Sequence, residues 1–126
     1  MSNRTIYLNG QFLPESEARI SVYDSALMLG DSVFEMTRSF NGETFKLEEH
    51  FQRLKVSMEA LSIPHEFMTQ FPMSYLKPVC ERLIQMNDHG NGEEHRLLIM
   101  VSRGILGCYK EATGDVGPTV CITDFP

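Results

Sequence analysis

The chain is 126 residues long, with 42% hydrophobic and 22% charged residues, which supports one compact domain with its own core and leaves too little chain for two. A formal charge of -6, with eleven Lys and Arg scattered along the chain, argues against a nucleic-acid surface, and no apolar run approaches the length that spans a bilayer. Cys80, Cys108 and Cys121 are odd in number and lack metal-ligand spacing, so they read as reduced, packed thiols of a cytoplasmic protein; the start carries no secretory pattern.

Ile6 to Leu8 and Gln11 to Leu13 flank Asn9-Gly10, the signature of two strands joined by a tight turn. Glu15 and Glu17 belong to a loop after Pro14, and Arg19 to Val22 is expected to be extended. Asp24 is placed to cap a short helical turn through Ala26, Leu27 and Met28, closed by Gly30 and Asp31. From Ser32 to Phe40 the chain alternates, with Phe34, Met36, Arg38 and Phe40 on one face and Val33, Glu35, Thr37 and Ser39 on the other. Period two predicts a strand, and Asn41-Gly42 ends it.

Leu47, Phe51, Leu54, Met58 and Leu61 recur at intervals of four and three, which predicts a helix over 47–61 with one apolar stripe. Glu48 and Glu49 suit its first turn, where the helix dipole favours negative charge. Pro64 closes that region. A second helix is expected to begin between Ser74 and Lys77, so that Pro78 falls in a first turn, with Val79, Leu83 and Met86 facing the core. The turn-rich stretch from Asn87 to Gly92 stops it. His95 to Ser102 and Pro118 to Thr123 read as strands, separated by a glycine-bearing loop over 103–117. Strands on either side of two helices, linked by hairpins, predict an α+β domain whose helices cover one face of a mainly antiparallel sheet. The domain is expected to span 1–123, with 124–126 beginning a linker to a domain that the chain lacks.

Arg53 is the first candidate for chemistry. Helical geometry sets it about 120° from the centre of the apolar stripe, beside Val56 and Ala60, on a second surface that something must cover. One reading is a solvated arginine with its stem on apolar atoms; the other is an anion clamp, because a guanidinium fork matches phosphate or carboxylate oxygens. His50, nearer the core stripe, reads as a hydrogen-bonded packing residue. His65, His89 and His95 have no partner pattern.

Taken together, Gly30-Asp31-Ser32-Val33-Phe34-Glu35, Phe40-Asn41-Gly42 and Leu47-Glu48-Glu49-His50-Phe51-Gln52-Arg53-Leu54 resemble the N-terminal domain of class IV, fold-type IV aminotransferases, most closely those of the branched-chain type. Tyr7-Leu8-Asn9-Gly10 and Val101-Ser102-Arg103-Gly104 extend the resemblance over nearly the whole chain. It implies that Arg53 holds the phosphate of pyridoxal 5'-phosphate, that Phe34 lines the substrate pocket, and that Arg38 and Arg96 lie close to it. The loop containing Leu106, Gly107 and Cys108 is implied to reach the active site of a partner in a homodimer.

Some positions depart from the family. Glu94 and Leu29 stand where pocket tyrosines are common, and Cys108 and Lys110 stand where the D-amino-acid enzymes carry an arginine and a histidine. Transamination also needs a lysine that forms a Schiff base with the cofactor. None of Lys46, Lys55, Lys77 and Lys110 has surroundings resembling the family's lysine, which belongs to the larger C-terminal domain. The resemblance therefore implies the clamp-bearing fragment of an enzyme that exchanges an amino group between an amino acid and a 2-oxo acid, inactive alone. A fragment of an aminodeoxychorismate lyase or of a D-amino-acid aminotransferase is the alternative within the fold. A small non-catalytic interaction module is the alternative outside it.

Overall fold

A computed structural model of the protein describes residues 4–63, 73–88, 92, 94–114 and 117–125. Strands β1 (Thr5–Leu8) and β2 (Gln11–Pro14) form the opening hairpin, followed by a short helix α1 (Ser25–Leu29), strand β3 (Ser32–Phe40), a two-residue strand β4 (Glu43–Thr44) and helix α2 (Leu47–Ala60). Helix α3 (Met73–Asn87), strand β5 (His95–Ser102), helix α4 (Lys110–Thr113) and strand β6 (Thr119–Phe125) complete the chain. The six strands among the described residues join one antiparallel sheet in the order β2-β1-β6-β5-β3-β4. Helices α2 and α3 pack on one face of it, as an α+β domain of this pattern requires. No helix among the described residues is long and apolar enough to cross a membrane.

The core lies between that face and the two helices. Leu47, Phe51, Leu54 and Met58 of α2 are buried as the stripe predicts, each contributing roughly 1.5–3 kcal/mol relative to exposure. They meet Val33 of β3, Leu97, Ile99 and Val101 of β5, and Val120 and Ile122 of β6. The helix ends one residue early. Leu61 is half-exposed, and Ile63 turns inward in its place, its N–H donating to the Met58 carbonyl.

Four further local expectations are corrected. Arg19 to Val22 forms no strand, because Ser21 bends the chain: its Oγ accepts from the Tyr23 N–H and its carbonyl from the Asp24 N–H. Helix α3 already includes Met73, so Pro78 lies inside it rather than in its first turn. Pro78 and Ser74 are both exposed, so water can satisfy the carbonyl left without its helical donor. The buried stripe of α3 is Leu76, Val79, Cys80, Leu83 and Ile84, while Met86 is half-exposed. Strand β6 runs on through Asp124 and Phe125, paired with Leu97 and Arg96, so two of the three residues expected to begin a linker belong to the sheet. Pro64, His65, residues 89–91 and Pro126 lie outside the described residues.

One buried carboxylate organises the end of the sheet near α1. Asp24 caps α1 by accepting from the Ala26 N–H at 2.9 Å, and it also accepts from Ser102 Oγ and Thr119 Oγ1, both at 2.6 Å. It thereby ties α1 to the end of β5 and the start of β6. Gly104 follows with φ 95°, and a side chain there would collide with the Gly117 carbonyl, so glycine is required on both counts.

All three cysteines are free, but only Cys80 matches the expected packed thiol fully; Cys108 is exposed. Burial, with a smaller push from the Glu81 carboxylate, raises the Cys80 thiol to about 12, and burial also raises Cys121. At pH 8 a thiol reagent is therefore expected to label Cys108 rapidly and Cys80 only on unfolding, which peptide mass mapping after timed labelling checks. Replacing Asp24 by alanine leaves two buried hydroxyl donors and the half-buried Ala26 N–H without their acceptor and is expected to cost roughly 3 kcal/mol, read as a lowered urea midpoint.

Candidate active site

The alternation of β3 sorts its side chains in a way that hydrophobicity alone would invert. Glu35, Thr37 and Ser39 are buried against the helices, whereas Phe34, Met36 and Phe40 are 64%, 40% and 51% exposed on the opposite face. Each buried polar group is satisfied. Thr37 Oγ1 donates to the Phe45 carbonyl, Ser39 Oγ accepts from the His95 N–H, and Glu35 accepts from His50 Nδ1 and forms an ion pair with Arg53. Phe34 is thus not a core residue of this chain, and the aromatic set forms part of a bare sheet face.

Register extends that face across three strands. Phe34 is opposite Met100, which is opposite Cys121; Met36 is opposite Leu98 and then Thr123; Arg38 is opposite Arg96 and then Phe125. Apolar rungs therefore lead to a charged one. Arg38 Nη1 donates to Glu94 Oε1 at 2.8 Å, and the Arg96 guanidinium lies 5.4 Å from the centre of the Phe125 ring, within range of a cation-π contact. The anionic partner that an arginine in this strand needs is therefore Glu94. A cleft of about 480 Å³ opens beside this rung, lined by Met36, Arg38, Phe40, Phe45 and His50.

Arg53 leaves α2 on its outer side, with its side chain 73% exposed, beside exposed Val56 and Ala60. Its Nε lies 3.3 Å from Glu35 Oε1, while His50 Nδ1 lies 2.8 Å from Glu35 Oε2. The spacing of three on α2 aims both side chains at one buried carboxylate. His50 is in this sense the hydrogen-bonded packing residue its position suggests. The contact with Glu35 engages Nε, and the two Nη groups that form the anion-matching fork are not used by it. Glu48, Glu49 and Gln52 border the same outer surface.

Leu106, Gly107 and Cys108 sit elsewhere. The Leu106 N–H donates to the Tyr23 carbonyl, Tyr23 and Tyr109 stack at 4.2 Å, and Ile105 bridges Asp24, so this loop is fastened beside α1. Gly107 and Cys108 are exposed, and none of the three lines the cleft at Arg38. Within the expected open loop, Gly107–Tyr109 forms a 3-10 turn leading into α4.

Sequence reasoning missed several groups. Arg103 pairs with Asp31 at 2.8 Å and donates to the Leu61 and Ser62 carbonyls, closing the C-terminus of α2. His95, expected to have no role, is buried against Asp124, whose carboxylate also meets Asn87 and Arg4. No short-range spacing announces such a cluster, because its members come from the start of the chain, α3, β5 and β6.

Comparison with known proteins agrees with this geometry. The family profile described as amino-transferase class IV matches residues 32–126. A Methanocaldococcus jannaschii protein assigned as a branched-chain-amino-acid aminotransferase is 48% identical over 58 residues, 46% of this chain and 20% of that protein. A Staphylococcus epidermidis D-alanine aminotransferase is 28% identical over 99 residues, 79% of this chain and 33% of that protein. Among solved structures, the branched-chain amino acid aminotransferase of Escherichia coli superposes with a TM-score of 0.79 at 25% identity, over 99% of this chain and 41% of that one. The chain thus spans between a fifth and about two fifths of the length of these relatives. Profile and fold together place it in the class IV aminotransferase family.

Proposed function

We propose that this chain is the smaller, N-terminal part of a pyridoxal-phosphate enzyme that exchanges an amino group between an amino acid of branched-chain type and a 2-oxo acid. The observation that carries the proposal is the outward fork of Arg53, held from behind by buried Glu35, together with the opposite side of β3, where Phe34, Met36 and Phe40 stand exposed. Such a face is far more apolar than a solvated sheet surface needs to be.

Pyridoxal phosphate, when bound, supplies the electron sink for breaking bonds at an amino acid's α-carbon. The residues present fit one part of that group. Arg53 offers paired donors to two phosphate oxygens, and the pair with Glu35 orients the guanidinium without consuming the fork. Glu48 and Glu49 near the same surface disfavour a dianion on their side, so the phosphate is proposed to approach Arg53 away from them. Its remaining donors, and the lysine that anchors the cofactor, are proposed to come from a C-terminal domain outside this chain. Phe34, Met36 and Leu98 exclude water from the substrate's side chain, and Arg38 and Arg96 supply positive charge at the far rung. A homodimer is proposed as well, because Val22, Leu27 and Leu29 are each more than 60% exposed around α1, beside the loop of Leu106, Gly107 and Cys108.

The match to a D-alanine aminotransferase over 79% of the chain supports a second reading, transfer from a D-amino acid. Phe34, Cys108 and Lys110 favour the first. Assays of the full-length protein with L-leucine, D-alanine and aminodeoxychorismate are expected to show amino transfer from L-leucine to a 2-oxo acid; pyruvate release from aminodeoxychorismate instead establishes a lyase. In the same protein, Arg53→Ala is expected to weaken pyridoxal-phosphate binding about tenfold to a hundredfold, the equivalent of roughly 1.5–3 kcal/mol for one charge-assisted hydrogen bond. Cofactor titration followed by absorbance checks this, and unchanged affinity removes Arg53 from the site.

A further inference from the structure

Two side chains of α2 share one acid. Glu35, its side chain 8% exposed, meets His50 Nδ1 at 2.8 Å through Oε2 and Arg53 Nε at 3.3 Å through Oε1. A carboxylate only accepts, so Nδ1 is the ring nitrogen that carries hydrogen and donates. An arginine and a carboxylate left to themselves favour two parallel N–H···O bonds of about 2.7–2.9 Å, which engage both oxygens of the acid. Arg53 and Glu35 do not adopt that arrangement: their closest contact is the longer one to Nε. The difference is His50, which holds the oxygen that a second bond would need. Among the described residues, Glu35 is the acid paired with Arg53, whose side chain is otherwise 73% exposed.

Resting on the reading of Arg53 as a phosphate clamp, we propose that His50 is a positioning residue. By occupying Oε2 of Glu35, it stops the acid from closing on the guanidinium with both oxygens, and so leaves the two Nη groups of Arg53 for the phosphate. Glu35 still orients Arg53 through Oε1. Without His50 the carboxylate would have one oxygen unmatched in a buried position, a costly state, and Arg53, one turn along the same side of α2, is the donor within reach to satisfy it. The fork would then turn inward onto an acid of its own chain. His50 itself touches neither substrate nor cofactor and moves no proton.

The test uses the full-length apoenzyme, titrated with pyridoxal phosphate and followed by absorbance. His50→Leu is expected to weaken cofactor affinity about fivefold, whereas His50→Gln, which restores an N–H donor, is expected to stay within about twofold of the wild type. In a Glu35→Gln background the side chain has one acceptor oxygen and cannot grip the fork, so the same His50→Leu change is expected to alter affinity less than about twofold. A packing role would lower affinity in both backgrounds, so equal losses overturn the role of His50, as does an unchanged affinity in His50→Leu alone. Side-chain NMR reads the fork without the cofactor: exchange between the two Nη groups of Arg53 is expected to be fast in the wild type and slowed in His50→Leu, and equal rates overturn the same role. Unchanged cofactor affinity in Arg53→Ala removes the clamp reading separately, and the Nη exchange still decides what His50 does.

Discussion

A carboxylate driven into the seam between a sheet and a helix has to be met by donors from that helix, and Glu35 is met by two. His50 and Arg53, one turn apart on α2, converge on its two oxygens. Burying the charge without them would cost several kcal/mol, so the interaction sets how α2 is rotated against β3. That rotation points Leu47, Phe51, Leu54 and Met58 into the core and leaves the Arg53 fork outside. A side chain that could have wandered over the surface of a helix is thereby given a direction, and preorganised donors bind an anion with less ordering cost than mobile ones.

The other short motifs are mainly architectural. Asp31 and Arg103 join the start of β3 to the end of α2, so both ends of the β3-to-α2 segment are set against the loop that follows β5. Asp24, with Ser102 and Thr119, holds α1 against β5 and β6. These contacts come from four separate stretches of sequence, 24–31, 61–62, 102–103 and 119. They produce a rigid frame in which the faces of β3 point in opposite directions: polar groups inward towards α2, aromatic groups outward.

Regular elements were legible because their periods are strong. The bounds of β3 follow directly from alternation, those of β5 from an apolar run between turn-rich stretches, and α2 from its stripe, while the ends of α3 and β6 and the bend at Ser21 depended on local solvation and side-chain hydrogen bonds that periodicity does not carry. Faces were harder. Phe34, Met36 and Phe40 look more like core than Glu35, Thr37 and Ser39 do, and α2 docking on the polar side, with partners for Glu35 from α2, for Thr37 from Phe45 and for Ser39 from His95, reverses the assignment. Arg53 was accessible from helical geometry as a residue off the core stripe, and its reading as a phosphate clamp rests on resemblance alone. Glu94 was visible as a departure, but its partner was not, because residues 38 and 94 meet only once β3 and β5 are in register.

The order of the strands has a consequence for how the molecule comes into being. Strands β1 and β2 touch the rest of the sheet through β6, which lies between β1 and β5 although it is the last strand in sequence. Until 119–125 are available, a nascent chain holds a two-stranded ribbon and a separate β3, β4 and β5 unit with an open edge on each. Pairing across such sequence distances is slow compared with local closure, and exposed edges of this kind are sites of misassembly. The sheet is thus keyed by its final strand, and a ribosome must release almost the entire segment before the halves can be locked together.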